Sequence, residues 1–171
     1  MLSGETAIGR YPVEAVRMMD RIVVETESHL ISLPERQRRR VADLPASFAD
    51  ATAAAAGRAA EDIQAAAILA FTQSGFTARL ISKHRPPTPI FAFTFREQVY
   101  HRLCLYWGVT PRLTEFVDDP EPMIEKADAL LRREGVVRQG DNLVVLASAP
   151  LIRQGTTNLM WLHRAGDPLT S

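Results

Sequence analysis

The chain has 171 residues, 46% of them apolar, and its 20 lysines and arginines balance its 20 aspartates and glutamates, giving a formal net charge of zero. This size and composition predict one well-packed globular domain. They argue against a nucleic-acid partner, because binding a polyanion requires clustered basic charge. The single basic run, four arginines between Arg36 and Arg40, is interpreted as a solvated helix face.

The sequence also carries no pattern of a secreted or membrane protein. Cys104 is the only cysteine, so no intrachain disulfide can form. No apolar run reaches the roughly 20 residues that a membrane-spanning helix requires, and the first residues lack the pattern of a secretory signal. We therefore expect a cytoplasmic protein without a membrane partner.

The first predicted element is an amphipathic helix of about 16 residues that begins at Pro12, a residue favoured at the first helical position. Its apolar residues recur at steps of three and four: Val13, Val16, Met19, Ile22 and Val23. Residues 29–46 contain two prolines and are predicted to be a connector with one or two helical turns at most.

From Ser47 onwards, helices and strands alternate. Ser47 and Asp50 resemble a capping box before an alanine-rich helix, and the apolar run 65–71 is typical of a strand covered on both faces. The further predicted elements are helix 76–84, strand 89–94, helix 97–107, strand 112–117, helix 120–134 and strands 142–147 and 157–164. This alternation predicts an α/β fold, a three-layer α/β/α sandwich around a mostly parallel five-stranded sheet. Because the last connection is too short for a helical crossover, the last strand should be antiparallel.

The turn after the first strand is the main candidate binding site. It comprises Thr72, Gln73, Ser74, Gly75, Phe76 and Thr77. A strand, a hydroxyl-rich turn and a helix start outline a phosphate pocket, because the first backbone N–H groups of a helix lack partners and its dipole favours an anion. Gly75 allows close approach of a ligand to the backbone. On this pattern alone, hydroxyl side chains before a helix are more often plain caps.

Other catalytic or metal-binding constellations find little support in the sequence. The four histidines are far apart and show no spacing of paired metal ligands, so no metal site is predicted. Cys104 and His101 lie three residues apart but share a helix with an apolar stripe, which predicts a core cysteine rather than a nucleophile. An unrelated small α/β enzyme is the weakest hypothesis, because neither a nucleophile elbow nor triad spacing is present.

The first 16 residues, MLSGETA followed by YP-x-EAV, resemble the end of the catalytic barrel of pyruvate kinases, where the last barrel strand leads into a helix. The resemblance continues, in the family's order, through the stretches 72–77, 82–86, 89–90, 140–141 and 155–158. It implies a barrel remnant over 1–28 (the end of the last strand and a helix), a linker over 29–46 and a C-terminal regulatory α/β domain over 47–171.

For a complete family member the resemblance implies phosphoryl transfer from phosphoenolpyruvate to ADP, giving pyruvate and ATP in glycolysis, with Mg²⁺, K⁺ and a lysine held by the barrel. Those elements would precede position 1, so we expect this chain alone to be inactive, with no catalytic residue and no cofactor of its own. Ser3, Glu5 and Thr6 would lie near the family's active site. In a lone chain such a segment more often caps the first helix or is disordered.

For the regulatory domain, the resemblance implies that the turn over 72–77 cradles one phosphate of an activating sugar phosphate or nucleotide. Arg153 would be the nearest cation, and the loop that ends at Gly155 would close over the opposite side. Members that respond to fructose 1,6-bisphosphate often have a basic residue where this chain has Gln73, and an arginine near position 122 or 123. We therefore expect a monophosphate such as AMP or ribose 5-phosphate rather than a bisphosphate, with a vestigial pocket as the alternative.

The last strand bears on assembly. It carries apolar residues on both sides and would expose an unpaired edge, which predicts a homodimer through this strand; the resemblance implies a similar contact. A separate catalytic barrel chain is a further partner that the resemblance implies. A free-standing effector-binding or oligomerisation module without a catalytic partner is the alternative hypothesis.

Overall fold

The computed structural model describes residues 2–32, 47–117, 119–148 and 156–169. The chain divides into two compact units, Met1–Asp43 and Leu44–Ser171. The division falls within the predicted linker. Most of that linker, including the arginine run, lies outside the described residues.

The described residues of the first unit, 2–32, form helices α1 (Gly4–Ala7) and α2 (Pro12–Ser32). The single turn of α1 stands where the resemblance implied the end of a strand: the backbone N–H of Ala7 donates to the Ser3 carbonyl at 3.0 Å. A helical turn satisfies its own backbone, whereas a strand requires a neighbouring strand. Helix α2 has 21 residues and is longer than predicted.

The second unit alternates helices and strands as predicted. Its elements are α3 (Phe48–Asp62), β1 (Ala67–Phe71), α4 (Phe76–Lys83), β2 (Ile90–Thr94), α5 (Glu97–Leu103), β3 (Val109–Leu113), α6 (Pro120–Arg133), β4 (Asn142–Ala147) and β5 (Leu159–Arg164). The strands form one sheet in the order β3-β2-β1-β4-β5. Strands β1 to β4 are parallel, and β5 pairs antiparallel with β4. The predicted mixed sheet is confirmed.

Two buried clusters lie on opposite faces of the sheet and make a three-layer sandwich. On one face, α3, α4 and α5 pack against side chains such as Ile68 and Val144. On the other face, α6 packs Ile124 and Leu131 against side chains such as Leu69. Every residue of β1 and β2 is buried, as expected for strands covered on both faces. The Ser47 hydroxyl accepts a hydrogen bond from Asp50 N at 3.2 Å, as the capping pattern predicts.

Strand β3 and helix α5 differ from their predicted bounds. Strand β3 begins three residues earlier than predicted and contains Pro111. The proline is tolerated because β3 is an edge strand and can leave one N–H position unpaired. Helix α5 ends at Leu103, and the prediction of a core cysteine is wrong: Leu103 is fully buried, whereas Cys104 is exposed. The backbone turns about 100° per residue in a helix, so the side chain of Cys104 points about 100° away from that of Leu103, out of the core.

Candidate functional site

The candidate site is a cleft beyond the carboxyl ends of the parallel strands. It is formed by the loops that follow β1, β2, β3 and β4, and its cavity volume is about 50 Å³. Strand order reverses between β1 and β4, and the loops at such a switch point leave a crevice in α/β sheets. Since one water requires on the order of 10–15 Å³ of such volume, the cavity accommodates a group of a few heavy atoms, not a whole nucleotide.

The turn between β1 and α4 forms one wall of the cleft. Gly75 adopts a left-handed conformation, with φ of 83°, and occupies the N-cap position of α4 without a side-chain hydrogen bond to the helix start. The buried Thr72 hydroxyl accepts a hydrogen bond from Gly75 N at 2.9 Å. Thr72 therefore fixes the turn but does not cap the first turn of α4. The backbone N–H groups of Phe76 and Thr77 are thus left without a side-chain cap.

Thr77 connects this turn to a distant part of the chain. Its hydroxyl oxygen lies 2.8 Å from that of Thr157, and both residues are buried. A pair of hydroxyls uses one proton in its mutual hydrogen bond, so the second proton is available to another acceptor. Thr157 lies two residues after the segment 149–155, which is outside the described residues and contains the two predicted site residues Arg153 and Gly155.

Helix α5 supplies a cation that sequence reasoning missed. The Arg102 guanidinium donates a hydrogen bond to the Ser74 carbonyl, and its Nη2 would lie 3.4 Å from a Cβ added at Gly75. Arg96, Arg102, Gln73 and Ser74 also line a neighbouring groove. The resemblance implied that family members carry their cations at position 73 and near positions 122 or 123. In this chain α5 instead brings Arg102 to the turn, from 28 residues away in sequence.

The opposite rim of the cleft is aromatic and was also missed. Phe95, after β2, and Phe116, after β3, form an edge-to-face pair with ring centroids 5.1 Å apart. Glu115 lies beside them and contacts Lys126 at 3.5 Å. Phe95, Glu115 and Phe116 are in loops, where sequence periodicity carries no information on facing residues.

A family model described as "Pyruvate kinase, alpha/beta domain" matches residues 50–163, which is most of the second unit. The chain belongs to the pyruvate kinase family. It corresponds to the C-terminal α/β domain of these enzymes, as the sequence resemblance predicts.

Similar proteins include whole pyruvate kinases. The chain is 38% identical over 170 residues to the enzyme of Lactobacillus delbrueckii subsp. bulgaricus, covering 99% of this chain and 29% of that enzyme. It is 39% identical over 168 residues to that of Agrobacterium vitis, covering 97% and 35%. The crystal structure of Cryptosporidium parvum pyruvate kinase superposes with a TM-score of 0.71 at 31% identity, covering 96% of this chain and 32% of that one. The chain thus spans about a third of the length of these pyruvate kinases.

A local hydrogen-bond network in the first unit joins Ser3, Glu5 and Thr6, the residues that the resemblance to pyruvate kinases implies to lie near the barrel active site. The Thr6 hydroxyl donates to the Ser3 carbonyl at 3.1 Å, and Ser3 N donates to Glu5 Oε2 at 3.0 Å. The pKa of Glu5 is lowered, first by a hydrogen bond from its own backbone N–H and then by that of Ser3. These contacts stabilise the start of α1.

Two kinds of feature are not found among the described residues: a cluster of metal ligands and a membrane-spanning helix. These residues contain no group of three or more His, Cys, Asp or Glu side chains placed to hold a metal ion. Within the same ranges, no helix combines the length and the apolarity needed to cross a bilayer.

Proposed function

We propose that this chain is the regulatory part of a pyruvate kinase and that its cleft binds the phosphate group of a phosphorylated effector. The observation that carries the proposal is the uncapped start of α4, which lies at a phosphate-sized cavity beyond the sheet. Phosphoryl transfer from phosphoenolpyruvate to ADP would take place on a barrel that this stretch does not contain. We therefore expect the 171-residue chain to show no turnover of phosphoenolpyruvate.

Several groups around the cavity favour an anion. The N–H groups of Phe76 and Thr77 point out of the helix start, where the helix dipole adds a partial positive charge. The Ser74 hydroxyl and the second proton of the Thr77 and Thr157 pair are potential donors. Arg102 places a positive charge against the same turn. Hydrogen bonds to a charged group contribute about 1.5–3 kcal/mol each, so two or three of them supply about 3–9 kcal/mol against an association cost of about 4–15 kcal/mol, and we expect a modest affinity.

The phosphate site is tested by calorimetric titration of the purified chain with ribose 5-phosphate. A Ser74→Ala, Thr77→Ala double variant should bind at least about tenfold more weakly, because two donors to the phosphate are lost. Thr157→Val is the matched control. Like Thr77→Ala, it abolishes the hydrogen bond between the Thr77 and Thr157 hydroxyls, but it keeps the Thr77 hydroxyl as a donor, so binding should persist. Equal affinity of the double variant and the wild type would refute the site, as would the absence of phosphate binding by the wild-type chain.

A second role as an oligomerisation module is favoured by β5. This strand lies at the sheet edge, and its outward residues Met160 and Leu162 are 40% and 51% exposed. An edge strand offers unpaired backbone groups to a second copy of the chain, and apolar side chains add to the contact. We propose a homodimer through β5. Light scattering at tens of micromolar should give twice the chain mass, and a monomer at that concentration would contradict the dimer.

A further inference from the structure

The turn between β1 and α4 separates two cavities. One is the cleft described above, and the other is the neighbouring groove, to which Arg96 and Arg102 contribute. Gln73 and Ser74 line both of them. Within the described part of the chain, Arg102 lines the groove and not the cleft. Its guanidinium therefore lies on the outer side of the turn, away from the place where a phosphate would bind.

The peptide unit between Ser74 and Gly75 is hydrogen-bonded at both ends. Its carbonyl oxygen accepts a hydrogen bond from the Arg102 guanidinium, and its N–H donates to the Thr72 hydroxyl at 2.9 Å. Because a peptide unit is planar, two hydrogen bonds at opposite ends fix the orientation of the whole unit. The Thr72 bond is local to the turn, whereas the Arg102 bond ties the turn to α5.

Gly75 leaves the choice of conformation to these hydrogen bonds. A glycine adopts positive and negative φ about equally readily, so its own backbone does not select the φ of 83° that it has in the turn. Helix α5 also covers Gly75: Nη2 and Nε of Arg102 would lie 3.4 and 3.7 Å from an added Cβ, and Leu103 Cδ2 would lie 3.7 Å from it. Since Leu103 is fully buried, it anchors α5 in this position against the turn.

Resting on the phosphate site proposed above, we infer that Arg102 is a positioning residue for that site. By holding the Ser74 carbonyl on the groove side, Arg102 keeps the N–H groups that follow, those of Phe76 and Thr77, turned towards the cleft that both residues line. Its effect on an anion passes through the conformation of the turn, without contact to the phosphate. Another cation in the groove could replace the charge of Arg102, but not its hydrogen bond to Ser74.

The positioning role is tested first without any ligand, by hydrogen exchange of the Gly75 amide measured by NMR. Arg102→Met keeps the length of the side chain but removes the guanidinium, so exchange should become about tenfold faster, the effect of losing one hydrogen bond. Arg102→Lys retains a donor and should exchange within about threefold of the wild type. Arg96→Met is the matched control, because it removes an equal charge from the same groove while the Arg96 guanidinium lies over the Phe95 ring. Its exchange rate should stay within about twofold of the wild type.

Titration with ribose 5-phosphate then links the turn to the phosphate site. Arg102→Met should weaken binding about tenfold, because the N–H groups of the turn are no longer held towards the cleft. Arg102→Lys should restore most of the affinity, and Arg96→Met should leave it within about twofold of the wild type. Thermal unfolding curves that match the wild type show that the three variants are folded.

Each other outcome overturns a defined part of the argument. Unchanged exchange of the Gly75 amide in Arg102→Met would refute the positioning role, whatever the phosphate affinities are. Faster exchange with an unchanged affinity for ribose 5-phosphate would refute the link between the turn and the site. Equal loss of affinity in Arg102→Met and Arg96→Met would show that the charge of the groove, and not the hydrogen bond, favours the anion. Absence of binding by the wild-type chain would refute the phosphate site, whereas Gly75 exchange would still decide whether Arg102 fixes the turn.

Discussion

Replacing Asp128 by asparagine should destabilise the α/β unit substantially, because this carboxylate is buried and joins α6 to the end of β5. Asp128 is 3% exposed. Its Oδ2 accepts a hydrogen bond from Gly166 N at 2.8 Å, and its Oδ1 accepts one from Arg132 Nε at 3.2 Å. Oδ2 also lies 3.6 Å from His163 Nε2, a buried nitrogen without a hydrogen-bond partner among the described residues.

The magnitude follows from these contacts. An asparagine side chain keeps one oxygen acceptor, so one of the two hydrogen bonds can persist, while the other donor then faces an NH₂ group. A lost hydrogen bond to a charged group, together with a donor left buried, should destabilise the fold by about 2–3 kcal/mol. For a domain of this size, about 3–4 °C per kcal/mol gives a decrease in Tm of roughly 6–12 °C.

Urea and thermal unfolding, followed by circular dichroism, measure this effect. Asp62→Asn is the matched control, because Asp62 is exposed at the end of α3 and its replacement should change the free energy of unfolding by no more than about 0.5 kcal/mol. An Asp128→Asn variant that unfolds within that margin of the wild type would refute the view that the Asp128 carboxylate holds α6 against the end of β5.

Two further predictions concern the turn and the first helix. Gly75→Ala should destabilise the fold by about 1–2 kcal/mol, since its φ of 83° is unfavourable for alanine and Arg102 Nη2 lies 3.4 Å from the new Cβ. Gly57→Ala, in the middle of α3, should instead stabilise it by up to about 1 kcal/mol, because the new Cβ would lie at ordinary van der Waals distance from Ile81 and Pro86, 3.8 and 3.9 Å away. Thermal unfolding that ranks the two variants the other way would contradict this. An NMR titration should give Glu5 a pKa below its ordinary value. The Glu5 carboxylate then stabilises α1 fully above the unfolded-state pKa, and this stabilisation is lost as the pH falls through the lowered pKa. An ordinary or raised pKa would contradict the hydrogen bonds from the backbone N–H groups of Glu5 and Ser3.

Features that depend on a few neighbouring residues follow from the sequence alone. The Ser47 cap, a buried strand over 65–71 (67–71 in the structure) and the glycine turn before α4 are predicted from the sequence, because caps, hydrophobic patterns and glycine turns act within about ten residues. The alternation of helices and strands determined a mostly parallel sheet with helices on both sides. The short last connection determined that β5 is antiparallel.

The site was predicted only in part. The turn over 72–77 was recognisable because its residues are consecutive. Two hydrogen bonds within the site could not be predicted: the one from Gly75 N to the Thr72 hydroxyl, and the one between the Thr77 and Thr157 hydroxyls. A pattern of hydroxyl residues does not reveal which of their hydroxyls already have a hydrogen-bond partner.

What only the tertiary structure decided is which distant residues meet at the carboxyl edge of the sheet. Strand order brings the loops after β1, β2 and β3 side by side, and this places Arg102 against Ser74 and Phe95 against Phe116. It also puts β3 at an edge, where Pro111 is tolerated. Sequence periodicity describes the face that an element buries, whereas the neighbours of that face depend on how the whole sheet is ordered.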